Sequence, residues 1–193
     1  MVQTTQKLTK YHIPPWFTNP GAGHVAQFYA DQRNLGVCAL EYIYSGLMRR
    51  EVCVVIATPE KLIALQKDLR RLGVDISTAL AEGRYITYDA EELLLGFMSD
   101  RELDEQRFNA DMTMLLRHVS AARHPVRVFG EMAALLRQQR NPVALLQLEH
   151  ALECLQPNYR FSLYCAYPIL DERGEYTEIH QKIQQTHDHI FYC

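Results

Sequence analysis

The sequence predicts a three-layer α/β fold, in which helices flank both faces of a mostly parallel central sheet. Short β-branched and aromatic runs alternate with helical periodicities along the chain, which is the pattern of βαβ units. The run Val52–Ala57 is apolar at every position, as expected of a central strand that is covered on both faces. The length of 193 residues is enough for one sizeable core and short for two ordinary domains.

Residues 1–23 are polar and interrupted by prolines and glycines, which predicts an N-terminal arm ahead of one domain over residues 24–193. Five strands are predicted within that domain, each a short run rich in apolar, β-branched or aromatic residues. They lie, in chain order, at residues 24–29, 52–57, 84–88, 125–129 and 160–167. The carboxyl ends of parallel strands form the edge of the sheet at which ligands bind.

Seven helices are predicted between and after these strands, because apolar residues recur there every three or four positions. They cover, in order, residues 34–49, 59–72, 90–98, 104–123, 132–139, 142–155 and 175–188. The second helix has the clearest ends, since Thr58 can cap it, Pro59 occupies its first turn and Gly73 terminates it. A helix after each strand favours parallel pairing of the strands.

The charge balance and the cysteine usage exclude several classes of protein. Lys and Arg number 20 against 23 Asp and Glu, so the chain lacks the basic excess of a dedicated nucleic-acid binder. The longest apolar run is far shorter than the ~20 residues of a membrane-spanning helix, and the N-terminus has no apolar signal core. The five cysteines form no CxxC pair. We therefore expect a cytoplasmic protein with reduced thiols and no membrane or direct nucleic-acid contact.

The motifs of common enzymes are missing. The first strand-to-helix junction, residues 29–36, has one glycine, no lysine and the acidic Asp31, whereas a phosphate-binding loop needs a glycine cradle and a lysine. No GxGxxG, GxSxG or HExxH pattern occurs. We expect no cofactor and no catalysis. The alternative is a residual nucleotide hydrolase, with Glu60 or Glu131 as the general base.

Three polar residues beside apolar segments are candidates for a site, and each has a structural alternative. His24 shares a strand face with Phe28. It is either a polar group in the wall of a pocket or a histidine at the edge of the strand that forms a hydrogen bond with the backbone. Glu131 follows a strand and Gly130, so it lies at the ligand edge or complements the dipole of the next helix. Glu149 lies beside a leucine stripe, either as a boundary residue or as a buried acid that needs a partner.

The tail of the chain is rich in histidine. A metal site would require three or four ligands, for example His180, His187, Glu131 and Cys165. A metal or redox sensor would instead use His187, His189 and Cys165. Because the spacing in the sequence does not bring these residues together, we expect no metal site, and the metal or redox sensor stays an alternative.

Several segments together resemble one known family, the MEDS domain, a sensory domain named after methanogen and methylotroph regulators such as the dichloromethane regulator DcmR. Each motif is weak alone, but their order and spacing match over about residues 23–192. The segments are GHVAQFY at 23–29, RREVCVV at 49–55, GRYITYD at 83–89, GEM at 130–132, LYCAY at 163–167 and THDHI at 186–190. The sequence departs from the family at Asp188, where a proline is frequent.

The resemblance implies a degenerate relative of the KaiC/RecA-like ATPase fold that senses small, hydrocarbon-derived ligands. The implied partner is a histidine kinase or a transcription regulator, and because no output domain is attached, we expect the signal to pass to a separate protein. Self-association is compatible with such an ancestry. The family's recurrent positions, carried over as ligand-binding residues, are His24, Phe28, Tyr29, Glu131, Glu149, Cys165, Tyr167 and His187.

These observations lead to one expectation about function. We expect a non-catalytic sensory domain whose small organic ligand lies at the carboxyl edge of the sheet, between the first strand, the Gly130–Glu131 turn and the tail helix. His24, Glu131 and His187 would then share one pocket. On this expectation, removing the side chain of Glu131 or of His187 abolishes the response to ligand.

Overall fold

The structure, a computed structural model, describes residues 15–18, 21, 23–121, 124–155, 158–169 and 175–192. The strands are β1 Gly23–Tyr29, β2 Val52–Ala57, β3 Tyr85–Asp89, β4 Met98–Ser99, β5 Glu102–Leu103, β6 Val126–Gly130, β7 Phe161–Pro168 and β8 His189–Tyr192. The helices are α1 Gln32–Met48, α2 Pro59–Arg71, α3 Ile76–Ala81, α4 Ala90–Phe97, α5 Glu105–Ser120, α6 Met132–Gln138, α7 Pro142–Leu155 and α8 Glu175–Thr186.

A six-stranded sheet in the order β3-β2-β6-β7-β1-β8 forms the middle layer. All of its strand pairs are parallel. Two separate clusters of buried apolar side chains cover its faces, one under α4 to α8 and one under α1 to α3. The predicted three-layer α/β fold with a mostly parallel sheet is therefore confirmed.

Four short elements, α3, β4, β5 and β8, were not predicted from the sequence. Helix α3 begins at Asp75, whose carboxylate accepts the Thr78 N–H at 3.0 Å. Strands β4 and β5 form a two-residue hairpin. At the tail, α8 ends at Thr186 instead of residue 188, and β8 follows as an edge strand. The prediction that residues 1–23 form an arm concerns mainly residues outside the described ranges, although Phe17 is fully buried.

Asp188 explains why the tail turns from helix to strand. Its backbone N–H donates to the His24 carbonyl at 2.9 Å, and its carboxylate accepts the His24 N–H at 2.8 Å. These two bonds align residues 189–192 beside β1, with Val25 opposite His189. The residue that departs from the family pattern thus ties the tail of the chain to the first strand.

The helices pack against the sheet rather than extend from it. Among the described residues, no helix has the length and the apolar character that crossing a bilayer requires. Helix α1 shows how closely a helix approaches the strands. A Cβ built on its Gly46 would lie 2.7 Å from the Sγ of Cys53 and 2.9 Å from the Cδ of Arg127.

This close approach predicts opposite effects for two alanine substitutions in α1. Gly46→Ala is expected to destabilise the protein by about 1–3 kcal/mol, because buried neighbours must shift. Gly36→Ala, whose Cβ would meet nothing within 4 Å, is the matched control and is expected to stabilise it by roughly 0.5–1 kcal/mol. Urea denaturation measures both, and equal effects of the two substitutions would contradict this packing.

Candidate functional site

Six of the eight residues proposed for the site converge on one face of the sheet. In the register of β1 and β7, Ala26 lies opposite Cys165 and Phe28 opposite Tyr167. Since side chains alternate along a strand, His24 and Phe28 share a face with Cys165 and Tyr167. Helix α7 adds Glu149 to this face, and the end of α8 adds His187. We call the set His24, Glu149, Cys165, Tyr167 and His187 the buried cluster.

Direct contacts connect the members of the buried cluster. The Nε2 of His24 lies 3.3 Å from the Sγ of Cys165, and the rings of His24 and His187 approach to 3.6 Å between centroids. The Tyr167 hydroxyl donates to the Oε1 of Glu149 at 2.7 Å. It also lies 3.1 Å from the Nε2 of His187. Phe28 stacks on the ring of Tyr167 at 5.3 Å.

The histidine His187 has a defined orientation. Its Nδ1 lies 2.7 Å from the Ile183 carbonyl oxygen, one turn earlier in α8. A carbonyl oxygen can only accept, so Nδ1 carries the proton that is donated to it. The Nε2 of the neutral ring is then unprotonated and faces Tyr167 and Glu149 with its lone pair.

Burial keeps most of the buried cluster uncharged. It lowers the pKa of His24 well below the usual value, and the nearby His187 lowers it further. Burial also lowers the pKa of His187 to about 4, against the opposing effect of the hydrogen bond to Ile183. In the same way, burial raises the pKa values of the Cys165 thiol and the Tyr167 hydroxyl well above normal.

Glu149 is the member that changes charge near neutral pH. Burial raises its pKa to about 7, although the hydrogen bond from Tyr167 opposes this shift. Its Oε2 lies 3.7 Å from the Nε2 of His187, which is within ion-pair distance. Between about pH 4 and pH 7 the shifts favour the neutral form of both groups, so this contact is not an ion pair there.

Two polar atoms of the buried cluster lack a hydrogen-bond partner. They are the Nδ1 of His24 and the Oε2 of Glu149, both of which are inaccessible to solvent. Buried polar atoms without a partner are uncommon in folded proteins, because desolvation is then not compensated. The buried cluster therefore has unused capacity to bind a polar atom or an ion.

A surface groove leads to the buried cluster between α7 and α8. It has a volume of about 420 Å³, and its lining includes Glu149, Glu153, Lys182 and Thr186. On the sheet side, Cys165 borders an apolar cavity of only about 20 Å³, which is little more than the volume needed for one water. An organic ligand thus reaches the buried cluster only if α8 moves away from α7.

The remaining two predicted residues, Tyr29 and Glu131, lie elsewhere. The Glu131 carboxylate accepts the Thr58 N–H at 3.0 Å and forms an ion pair with Lys61 at 2.9 Å. Burial, followed by the charge of Glu131, raises the pKa of Tyr29 to about 12. Glu131 borders an open groove of about 600 Å³ between α1, α2 and α6.

The structure does not bring Glu131 together with His24 and His187. Glu131 follows the carboxyl end of β6, whereas His24 is the second residue of β1 and lies near the opposite edge of the parallel sheet. The example set of metal ligands, His180, His187, Glu131 and Cys165, does not assemble either. His180 contacts the hydroxyl of Tyr192 at 3.0 Å, and His24 takes its place beside Cys165 and His187.

Lys61 and Thr58 were not recognised as site residues from the sequence. Both follow the carboxyl end of β2, Thr58 directly and Lys61 three positions later in the first turn of α2. The pairing of β2 with β6 brings them to Glu131. Their position after an all-apolar strand is the signal that could have identified them.

Comparisons with known proteins concern the family and the fold of the chain. The family model described as "MEDS: MEthanogen/methylotroph, DcmR Sensory domain" matches residues 23–187. The chain is also similar to a solved structure, that of an uncharacterized protein, PH0321 from Pyrococcus horikoshii, in complex with an unknown peptide. The TM-score is 0.64 at 13% identity, over 89% of this chain and 77% of that chain, so the likeness concerns the fold alone. No curated protein matches the chain.

Proposed function

Because the chain belongs to the MEDS family of sensory domains, we propose that it is a non-catalytic module that binds a small organic molecule and thereby regulates a signalling partner. The partner implied by this proposal is a histidine kinase or a transcription regulator. The ligand binds at the buried cluster, where it contacts His187 and Glu149.

The observation that carries this proposal is the composition of the buried cluster. Two histidines, a carboxyl group, a thiol and a phenol are enclosed together, and two of their polar atoms have no partner. An apolar core would fill the same volume without the desolvation penalty of these groups. A binding role explains why polar side chains occupy these positions.

The tail of the chain is the element that can transmit a signal. His187 lies between α8 and β8, and β8 is an edge strand that pairs with β1. The hydrogen bonds between Asp188 and His24 join this tail to β1, the strand that carries His24 of the buried cluster. A ligand that moves His187 therefore shifts the population of tail conformations, and a partner that contacts the tail detects the change.

The first strand-to-helix junction supports a non-catalytic role. The carboxylate of Asp31 caps α1 by accepting the Arg33 N–H at 2.8 Å, so a negative charge occupies the position where a phosphate would bind a helix N-terminus. Glu131, proposed as a general base in the alternative reading, is held by Lys61. These two contacts do not favour a residual nucleotide hydrolase.

A thermal-shift screen with short alcohols, aldehydes, thiols and halogenated hydrocarbons tests the proposal. A molecule that binds the native state raises the melting temperature by mass action, by an amount that depends on its concentration. We expect His187→Ala to lose the shift produced by such a molecule. Glu131→Gln is the control, and we expect it to retain the shift because Glu131 belongs to the other groove.

The opposite result would relocate the site. If Glu131→Gln abolishes the shift and His187→Ala keeps it, the ligand binds in the groove between α1, α2 and α6. If both variants respond like the wild type, neither site binds the ligand and the proposed location is wrong.

A further inference from the structure

We propose that the buried cluster is a zinc site, in which Cys165, His24 and His187 bind the ion and leave a fourth position for the sensed ligand. This inference names the chemistry of the same site and therefore rests on the proposed function for its location. It goes beyond that function because binding of the metal ion can be measured in the absence of any organic ligand.

The three side chains are the donors that zinc prefers, one sulfur and two imidazole nitrogens. Their ligand atoms lie within 4.8 Å of one another, and all three residues are buried. In a tetrahedral zinc site, Zn–S and Zn–N bonds of about 2.3 and 2.1 Å place sulfur and nitrogen about 3.5 Å apart. The Sγ of Cys165 and the Nε2 of His24 are already 3.3 Å apart.

The hydrogen bond made by the Nδ1 of His187 is the one that metal-binding histidines make. Metal-binding histidines usually donate the proton of one ring nitrogen to a carbonyl or carboxylate, which directs the lone pair of the other nitrogen at the metal. His187 makes this bond from Nδ1 to the carbonyl oxygen of Ile183 at 2.7 Å. Thus α8 fixes both the tautomer and the direction of this donor before any ion binds.

The charges in the buried cluster balance a divalent cation. A cysteine thiol without a metal is protonated at neutral pH. Binding breaks the S–H bond, forms an S–Zn bond and releases one proton to solvent. The Cys165 thiolate compensates one positive charge of the ion. Ionisation of the neighbouring Glu149 carboxyl, with release of its own proton to solvent, compensates the other.

Glu149 connects the proposed zinc ligands with the surface groove between α7 and α8. Its Oε2 has no partner and lies 3.7 Å from the Nε2 of His187. The same residue lines the groove between α7 and α8. Three protein ligands leave one coordination position open, and an oxygen or sulfur atom of a small molecule entering by this groove would occupy it.

Cobalt(II) titration of the purified full chain, first treated with a chelator, tests the zinc site. Co²⁺ replaces Zn²⁺ in such sites, and its spectrum reports both thiolate ligation and tetrahedral geometry. We expect one Co²⁺ per chain with a thiolate-to-cobalt charge-transfer band that added Zn²⁺ removes. We also expect each bound Zn²⁺ to release the Cys165 thiol proton, together with the Glu149 proton where that carboxyl is still protonated.

Two cysteine variants assign the signal to the buried cluster. Cys165→Ser is expected to lose the charge-transfer band, whereas Cys154→Ser, which removes an exposed thiol, is the matched control and is expected to keep it. A wild-type protein without the band would overturn the zinc site, and so would a band that depends on Cys154. If Cys165→Ser fails to fold, His24→Asn is used instead. We expect this variant to lose the tight binding of one Co²⁺ per chain.

The zinc site and the proposed function fail in different ways. A chain that binds no Co²⁺ but shows a ligand-induced thermal shift that depends on His187 refutes the metal and leaves the sensor. A chain that binds one Co²⁺ through Cys165 but gives no shift with any organic molecule supports the metal site and refutes the organic-ligand proposal.

Discussion

Replacing Arg127 with methionine is expected to lower the free energy of unfolding by about 3–5 kcal/mol. Arg127 is the second residue of β6 and is 1% exposed. Its Nε bonds the carboxylate of Glu51, and its Nη2 donates to the Thr18 carbonyl at 2.8 Å. The guanidinium also lies over the ring of Tyr42, 5.1 Å from the centroid. Methionine fills much of the volume but leaves Glu51 buried without its partner.

Urea denaturation at neutral pH measures this effect against two controls. Arg71→Met removes an exposed arginine that pairs with Asp68 on the surface of α2, and we expect a change within about 0.5 kcal/mol. The double variant Arg127→Met/Glu51→Leu is expected to regain part of the loss, because replacing both partners of a buried ion pair leaves no isolated charge. If Arg127→Met is as stable as Arg71→Met, the buried network does not stabilise the fold.

Glu149→Gln is expected to stabilise the metal-free protein at pH 8 by roughly 2–3 kcal/mol. The folded-state pKa of Glu149 is raised to about 7 from 4.5. Between these values the folded protein binds more protons than the unfolded chain, so ionisation of Glu149 lowers stability as the pH rises from about 4.5 to 7. Glutamine removes this penalty and still accepts the hydrogen bond from Tyr167.

The advantage of Glu149→Gln should become small as the pH falls to about 4.5 and disappear below it, where Glu149 is protonated in the unfolded chain as well. His187 contributes with the opposite sign. Its pKa is lowered to about 4 from 6.5, so its contribution to stability rises as the pH increases between these values. The variant should therefore show a steeper rise in stability between pH 4.5 and 6.5 than the wild type.

Urea midpoints measured from pH 4.5 to 8 in the presence of a chelator test both statements. Glu102→Gln, a substitution at an exposed position of β5, is the control and should change stability by less than about 0.5 kcal/mol. A Glu149→Gln protein that is less stable than the wild type at pH 8 would show that the ionised carboxylate is compensated in the folded state.

Much of the sheet was predictable because its strands carry local signals. Val52–Ala57 is apolar throughout, and the helix after it has a proline in its first turn and a glycine after its end. Thr58 occupies the N-cap position, but its side chain makes no capping hydrogen bond. Strand β8 has no such signal: four residues follow a helix directly, and their pairing depends on bonds between Asp188 and His24. The ion pair of Arg127 was equally unpredictable from the sequence, because its partner Glu51 is 76 positions away.

The residues of the candidate site were predictable from the family resemblance, but their grouping was not. His24 and Cys165 are 141 positions apart, and only the register of β1 with β7 shows that they touch. The general rule for parallel sheets favoured a single pocket at the carboxyl edge with Glu131. His24, however, is at the start of its strand, and its position along β1 separates it from that edge.

Amide hydrogen exchange with and without a small molecule found by thermal shift tests the central claim most directly. The account predicts slower exchange on binding in the end of α8 and in β8, residues 183–192, and in the part of β1 that pairs with them. Exchange at the start of α2, around Lys61, should not change. Protection confined to α1, α2 and α6, with none in the tail, would contradict a ligand bound at the buried cluster.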